Sequence, residues 1–286
     1  MKKLLFQFDT DSLPSSFDTV VAYDGGADHV LSYGGINPEN VGGLVDGAIF
    51  TRAPKDKKYT AIFIGGSDMM AGQELLKTVR KKFFGDFRVS AMLDSNGSNT
   101  TAAAAVAKLM TSGTVSGKRA VILAGTGPVG QRAAVMLARE GASEVIITSR
   151  DKSKAEKACR DMNETFGLDL IPVGARDGDG RAKAIEKAQI VVAAGAAGVE
   201  LLQPHHWQDN PSIELMADAN ATPPTGIGGI RVMDRGENRN GKIVWGALGF
   251  GGLKLNLQRT CIASLFEAAD QVLDVEEIFA IAKAMA

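Results

Sequence analysis

The segment Gly125-Thr126-Gly127-Pro128-Val129-Gly130 constrains this chain more than any other. It follows an apolar run, KRAVILAG (118–125), and opens a helical pattern, PVGQRAAVMLAREGA (128–142). A second apolar run, EVIITSR (144–150), comes next. A G-x-G-x-x-G inside such a strand–turn–helix–strand unit of about 30 residues is the dinucleotide-binding fingerprint. Gly125 makes the tight turn, Gly127 admits a pyrophosphate to the backbone, and Gly130 lets the helix lie close to the strand. Pro128 suits a first helical position, where an N–H has no partner to lose. The helix start then presents unpaired N–H groups and a positive dipole end to phosphate.

The end of the second strand decides which dinucleotide. An NAD protein places Asp or Glu there, about 20 residues on, to hold the ribose 2′-hydroxyl. Here the sequence reads Thr148-Ser149-Arg150, with Lys152 and Lys154 close behind. A carboxylate repels a 2′-phosphate, whereas a guanidinium holds it with charge-assisted bonds. The expected cofactor is therefore NADP, with Ser149, Arg150 and Lys154 around its 2′-phosphate. The competing reading lengthens the strand by one residue and gives the ribose to Asp151. Ligands sit beyond the carboxyl ends of parallel strands. That adds Ala194-Gly195-Ala196 at the close of QIVVAAGAAG (189–198), Asn220 after SIELMAD (212–218), and Gly249 in VWGALGFGG (244–252), which reads as a last strand. Small residues there leave room for nicotinamide, and Asn220 has the donors and acceptor for its carboxamide.

Apolar runs alternate with helical patterns along most of the chain, which indicates parallel sheets covered on both faces. KLLFQFD (3–9), TVVAYDGG (19–26), TAIFIGGSD (60–68) and RVSAMLD (88–94) read as strands. MMAGQELLKTVRKKF (69–83) reads as an amphipathic helix. The polar loop DSNGSNTT (94–101) is the first seam, with Thr100 or Thr101 capping the alanine-rich helix after it. Beyond the fingerprint, KSKAEKACRDMNETF (152–166) and DGRAKAIEKA (179–188) read as helices, and LDLIPVG (168–174) as a strand. The C-terminal segment is helical with a break near 272–274, and it is placed to return to the first domain. The expected fold class is α/β with two domains. A Rossmann-type nucleotide domain spans 99–254, and a discontinuous α/β substrate domain spans 1–98 plus 255–286.

Composition removes several functions. With 32 basic against 33 acidic residues the chain has no electrostatic footprint for nucleic acid or an anionic membrane. No apolar run reaches the roughly 18 residues of a spanning helix, and MKKLLFQFDTD lacks the long apolar stretch of a signal peptide. The expected location is the cytoplasm. Cys159 and Cys261 are isolated and make no disulfide framework. His205 and His206 lack the spaced partners of a metal site, so no metal is expected and an exposed or capping role is assigned to them. Asp177 and Asp179 lack the ligand periodicity of a calcium loop and read as a surface turn.

Five segments together point to a known family. FRVSAMLDSNGSNTTAAA (87–104) and GALGFGGLKL (246–255) are the most specific. KLLFQFDTD, FDTVVAYDGGADH (17–29) and AGTGPVG (124–130) accompany them. With these the chain closely resembles the NADP-dependent methylene-tetrahydromethanopterin/methylene-tetrahydrofolate dehydrogenases of methylotrophic bacteria, over essentially its whole length. The resemblance implies a pterin-binding cleft between two α/β domains, a homo-oligomer, and hydride transfer from the methylene carbon of a tetrahydromethanopterin or tetrahydrofolate derivative to NADP. It singles out Lys254, in a matched motif, as the main substrate residue, bonding a pterin carbonyl or ring nitrogen. Around it, Phe17 either stacks on the pterin or packs as an ordinary apolar residue. Asp18 and Asp24 take pterin N–H groups, with turn formation at Gly25-Gly26 an equal rival for Asp24. Asn96 and Asn99 touch substrate or serve turn and cap. The other functions left open are a methenyl-pterin cyclohydrolase or bifunctional enzyme, in which Lys254 polarises water, a non-catalytic NADP sensor, and another NADP dehydrogenase such as one acting on shikimate.

Overall fold

The computed structural model describes residues 1–286. Along the chain run β1 (Leu4–Asp9), α1 (Ser16–Asp24), β2 (His29–Tyr33), α2 (Gly42–Phe50), β3 (Thr60–Gly65), α3 (Met69–Lys81), β4 (Ser90–Leu93) and α4 (Ser98–Ser112). Next come β5 (Arg119–Leu123), α5 (Pro128–Arg139), β6 (Glu144–Ser149), α6 (Lys152–Phe166), β7 (Ile171–Gly174), α7 (Gly178–Ile185), β8 (Ile190–Ala193) and β9 (Leu215–Asp218). The chain ends with β10 (Arg235–Arg239), β11 (Lys242–Gly246), α8 (Ala247–Ser264), β12 (Val272–Leu273) and α9 (Val275–Met285). These elements form two units, Met1–Thr100 with Leu255–Ile281, and Thr101–Lys254 with Ala282–Ala286. The last five residues thus group with the second unit, whereas the sequence division puts them in the first.

The first unit is built on a parallel sheet of order β12-β4-β3-β1-β2. Every residue of β3 is buried, as a strand covered on both faces requires. The chain leaves β1 for β2 on one side and returns to β3 on the other. The strand order therefore reverses between β1 and β3, and their carboxyl ends, Asp9 and Gly65, flank the natural ligand position of such a sheet. α3 is capped by Asp68, which accepts from the Met70 and Ala71 N–H groups, and buries Leu75, Leu76 and Val79.

The second unit carries a seven-stranded sheet of order β10-β11-β9-β8-β5-β6-β7, parallel except for β10. Its order reverses between β5 and β8. Its core joins Val121, Leu123, Val191 and Met216 to the buried indole of Trp207.

Three sequence expectations fail here. Residues 19–26 form most of α1 rather than a strand. Ser15 caps this helix by accepting from the Asp18 N–H, and Asp18, Val21 and Ala22 are buried at helical spacing. The Val20-Val21 pair suggests a strand because β-branched residues favour one, but the cap and the helical burial decide. The neighbouring strand is instead β2, whose exposed edge position hides any apolar run. Second, the strand expected at 244–252 stops at Gly246, and α8 starts at Ala247. A Cβ at Gly249 would lie 1.8 Å from the Asp234 carbonyl oxygen, and one at Gly246 would lie 2.0 Å from that of Arg231. The glycines are there for this close approach, and tertiary packing overrides their poor helix propensity. Gly249 and Lys254 are therefore helix residues, not strand-end residues. Third, α4 starts at Ser98, and neither Thr100 nor Thr101 caps it. Asp94 plays the acceptor, taking the Thr100 N–H at 3.1 Å and its hydroxyl at 2.6 Å.

Candidate functional site

The fingerprint turn is held by β6. Gly125 N–H donates to the Thr148 carbonyl at 3.0 Å, and Ala124 N–H to the Thr148 hydroxyl at 3.1 Å. The three glycines meet different surroundings. A Cβ on Gly130 would lie 2.6 Å from Gly125 Cα, and one on Gly125 would lie 2.8 Å from an Ile122 methyl, so both serve close packing. A Cβ on Gly127 meets nothing within 4 Å. Gly127 is the N-cap of α5 with Pro128 behind it, so no side chain caps the helix start. An open cap glycine at a helix N-terminus, packed against its strand by two other glycines, is the cradle a pyrophosphate needs.

A cavity of about 810 Å³ opens beside this turn in the second unit. Of the sequence-derived set, Thr126, Ser149, Arg150, Lys154, Gly195 and Ala196 line it. β6 ends at Ser149, which makes Arg150 the first residue beyond the strand. Asp151 accepts from Ser153 N–H at 3.0 Å and its hydroxyl at 2.8 Å, capping α6, and these bonds hold its carboxyl below the usual range. The competing ribose role for Asp151 thus loses its premise, a longer strand. Two further cations, Arg176 and Arg181, also line the cavity. Sequence reading passed over them, although Arg176 stands just past the end of β7, the neighbour of β6.

Asn220 is engaged by its own loops. Its Oδ1 accepts from Thr222 N–H at 3.0 Å and Gly198 N–H at 3.4 Å, while Nδ2 donates to the Pro224 carbonyl at 3.2 Å. It therefore fastens the segment carrying Gly195 and Ala196 rather than presenting a free amide. Next to it Asp218 is fully buried at the end of β9. Burial pushes its carboxyl up from 3.8 to about 6, against backbone N–H bonds from Asn220, Ile227 and Gly226. A native pKa above the unfolded one means the folded state holds the extra proton between pH 4 and 6. The Asp218 contribution to stability therefore falls as pH rises through that window, by about 3 kcal/mol in all. Asp218→Asn is expected to remove this component. Urea midpoints of the two proteins, compared between pH 4 and 7, check it, and parallel pH profiles contradict it.

In the first unit Asp18 is buried near the reversal point. A Cβ at Gly65 would lie 3.3 Å from Asp9 Oδ2 and 3.6 Å from Asp18 Oδ2. Gln258, fully buried on α8, donates to Asp18 Oδ1 at 2.8 Å. No sequence signal singled out Gln258, because its partner is 240 residues away. Asn96 adopts a left-handed φ of 56° and donates its N–H to the Gly66 carbonyl at 2.7 Å, so it shapes the turn at the same edge. Asn99 is buried. Its Nδ2 donates to the Leu93 carbonyl at 2.6 Å and to Asp274 at 3.1 Å, and its Oδ1 has no partner. Phe17 lies half exposed in the first turn of α1. Asp24 ends α1, more than a turn beyond Asp18, and pairs with Arg259 at 2.6 Å. Asp24 thus stands at a helix end in an ion pair, not at the close of a strand over 19–26. Lys254 is half-buried on α8.

Of the residues set aside, His206 accepts the Gln203 N–H at 3.0 Å as part of a capping box. Asp177 caps α7. Both thiols are buried, Cys159 pushed up to about 11 and Cys261 to about 12, values at which a thiol is inert.

Comparison with known proteins now bears on this arrangement. The family description "Methylene-tetrahydromethanopterin dehydrogenase, N-terminal" matches residues 16–96. A Methylorubrum extorquens protein named NAD(P)-dependent methylenetetrahydromethanopterin dehydrogenase is 34% identical, over 94% of this chain and 93% of its own. The chain belongs to the methylene-tetrahydromethanopterin dehydrogenase family. A second relative from the same organism, named Bifunctional protein MdtA, is 55% identical over 100% of this chain and 99% of its own. Among solved structures, shikimate 5-dehydrogenase from Listeria monocytogenes matches with a TM-score of 0.57 at 14% identity, over 98% of this chain and 96% of that one. The 5-ketofructose reductase of Gluconobacter matches at 0.54 and 16% identity, over 100% and 99%. These structures share the Rossmann-type α/β fold with this methylene-tetrahydromethanopterin dehydrogenase family member.

Proposed function

We propose that the protein oxidises the methylene bridge of methylene-tetrahydromethanopterin, or of its tetrahydrofolate counterpart, to the methenyl form with NADP as acceptor. The observation that carries this reading is Arg150, directly after β6 and beside the glycine cradle, in a chain 34% identical to an NAD(P)-dependent enzyme of that name. When bound, the nucleotide would supply a hydride acceptor in its nicotinamide ring. Loss of that hydride leaves a methenyl cation delocalised over the two flanking nitrogens, and no proton has to leave. The protein therefore needs no general base. Its work is to hold the reacting carbons near contact and keep water from the product.

Within this reading the N–H groups of Gly127 and Val129 face the pyrophosphate at the α5 start, and Pro128 between them contributes its fixed φ instead of a donor. Ser149, Arg150 and Lys154 hold the 2′-phosphate. Ala194, Gly195 and Ala196 leave space for the nicotinamide, kept in place by Asn220. Gly249 supports the start of α8. On the pterin, Lys254 donates to the ring carbonyl, Asp18 accepts from the amino group, Asn99 Oδ1 accepts a ring N–H, Asn96 shapes the adjoining turn and Phe17 packs on a ring face. The enzyme works as a cytoplasmic homo-oligomer, and no helix is long and apolar enough to cross a membrane.

Arg150→Ala is expected to weaken NADP about 10- to 100-fold, the loss of one charge-assisted bond of roughly 1.5–3 kcal/mol, and to leave NAD unchanged. Equal loss for both nucleotides contradicts the assignment. The reaction itself is tested by mixing the protein with NADP and each methylene carrier and following NADPH absorbance. Reduction with one of the carriers supports the reading, and none with either overturns it. The relative named as bifunctional favours a second activity besides this one. Hydrolysis of the methenyl product without nucleotide, abolished by Lys254→Ala, would identify it as a cyclohydrolase.

A further inference from the structure

We propose that Arg181 is a second guanidinium of the 2′-phosphate site, working with Arg150, and that the pair sets the preference for NADP over NAD. This rests on the NADP reading above and goes beyond it, since Arg181 stands two elements away from the strand end that usually decides the nucleotide. Arg181 lies in the opening turn of α7, a helix capped by Asp177. Its Nε donates to the Leu201 carbonyl at 2.6 Å and Nη1 to the Arg176 carbonyl at 3.4 Å. Both bonds go to neutral backbone oxygens. They fix the plane of the guanidinium, and Nη2 has no protein partner.

The cavity wall is unusual in its charge. Arg150, Lys154, Arg176 and Arg181 all line it, and none of the four is in an ion pair. The one carboxylate in the lining, Asp151, is committed to the α6 cap. Burial pushes Arg181 below its usual value; Asp177 opposes this shift and the positive charge of Arg150 adds to it, so the two guanidiniums repel each other with partial compensation from Asp177. Like charges held close together disfavour each other's charged form, and a dianion between them reverses the sign of that interaction. A phosphate monoester carries about −1.5 to −2 charges near pH 7, more than one guanidinium neutralises. Two guanidiniums match it, and a planar fork already fixed by its other nitrogen loses little freedom on binding.

The test is equilibrium binding of NADP and of NAD to the intact wild-type protein and to Arg181→Gln, measured by calorimetry. NADP is expected to weaken about 10- to 100-fold in the variant and NAD by less than about twofold. Arg181→Met, which keeps the apolar stem, replaces Arg181→Gln if that variant melts early. In the double variant with Arg150→Ala, the loss of NADP affinity is expected to differ from the product of the two single losses, because both residues act on one phosphate. A variant that weakens both nucleotides alike overturns the proposal, since anchoring α7 would then be the role of Arg181. A wild type that prefers NADP, with an Arg181→Gln variant that keeps the full preference, overturns this proposal alone. A wild type that does not discriminate overturns the NADP reading and this proposal with it.

Discussion

Gly130→Ala is expected to lower NADP affinity by about 100-fold or more and to destabilise the fold, whereas Gly127→Ala lowers affinity at nearly constant stability. The difference follows from what each added methyl would meet. At Gly130 the new Cβ would lie 2.6 Å from Gly125 Cα and 2.8 Å from its carbonyl oxygen, both backbone atoms. The start of α5 must then move away from the turn. Overpacking of this kind costs about 1–3 kcal/mol, and a displacement near 1 Å at a binding site costs about 100-fold. At Gly127 the Cβ enters open space, so the protein alone is unaffected. Its methyl then occupies the approach to the helix N-terminus. Thermal melting and nucleotide titration of the two variants check this. If Gly127→Ala binds NADP like the wild type, the pyrophosphate does not use this cradle.

Lys254→Ala is expected to reduce kcat/KM for the methylene carrier by about 100-fold while NADP binding stays within about twofold. A hydrogen bond from a charged donor contributes roughly 1.5–3 kcal/mol, and lost orientation of the pterin adds to it. Lys254 is half-buried on α8, a helix whose glycine-rich start is pinned by Gly249 against the Asp234 carbonyl, so the backbone that carries the side chain is set by packing rather than by a mobile loop. Steady-state kinetics at saturating NADP read the effect directly. Unchanged kcat and KM for the pterin remove Lys254 from the substrate site.

The nucleotide half was legible because its signals are local. A fingerprint six residues long, a strand end 20 residues on and a capping Asp all lie within one βαβ unit, and the structure places Thr126, Ser149, Arg150 and Lys154 around one cavity. The half proposed to bind the pterin was harder to read, since its pairings span the chain. Asp18 meets Gln258, and Asn99 meets Asp274, across 240 and 175 residues. Local rules also misled where packing overrode them. The Val20-Val21 run sits in a helix because Ser15 caps it, and Gly246 and Gly249 flank the start of α8 because the 231–235 backbone leaves no room for side chains there. Arg181 escaped notice for a related reason. It follows the third strand of the unit rather than the second, and only the folded cavity brings it to Arg150.

The most direct measurement uses a carrier deuterated at its methylene carbon, incubated with the protein and NADP in ordinary water. Mass spectrometry of the reduced nucleotide is predicted to find one deuterium per molecule, passed carbon to carbon without exchange. Reduced nucleotide carrying only solvent hydrogen, or no reduced nucleotide at all, would contradict direct hydride transfer as the work of this protein.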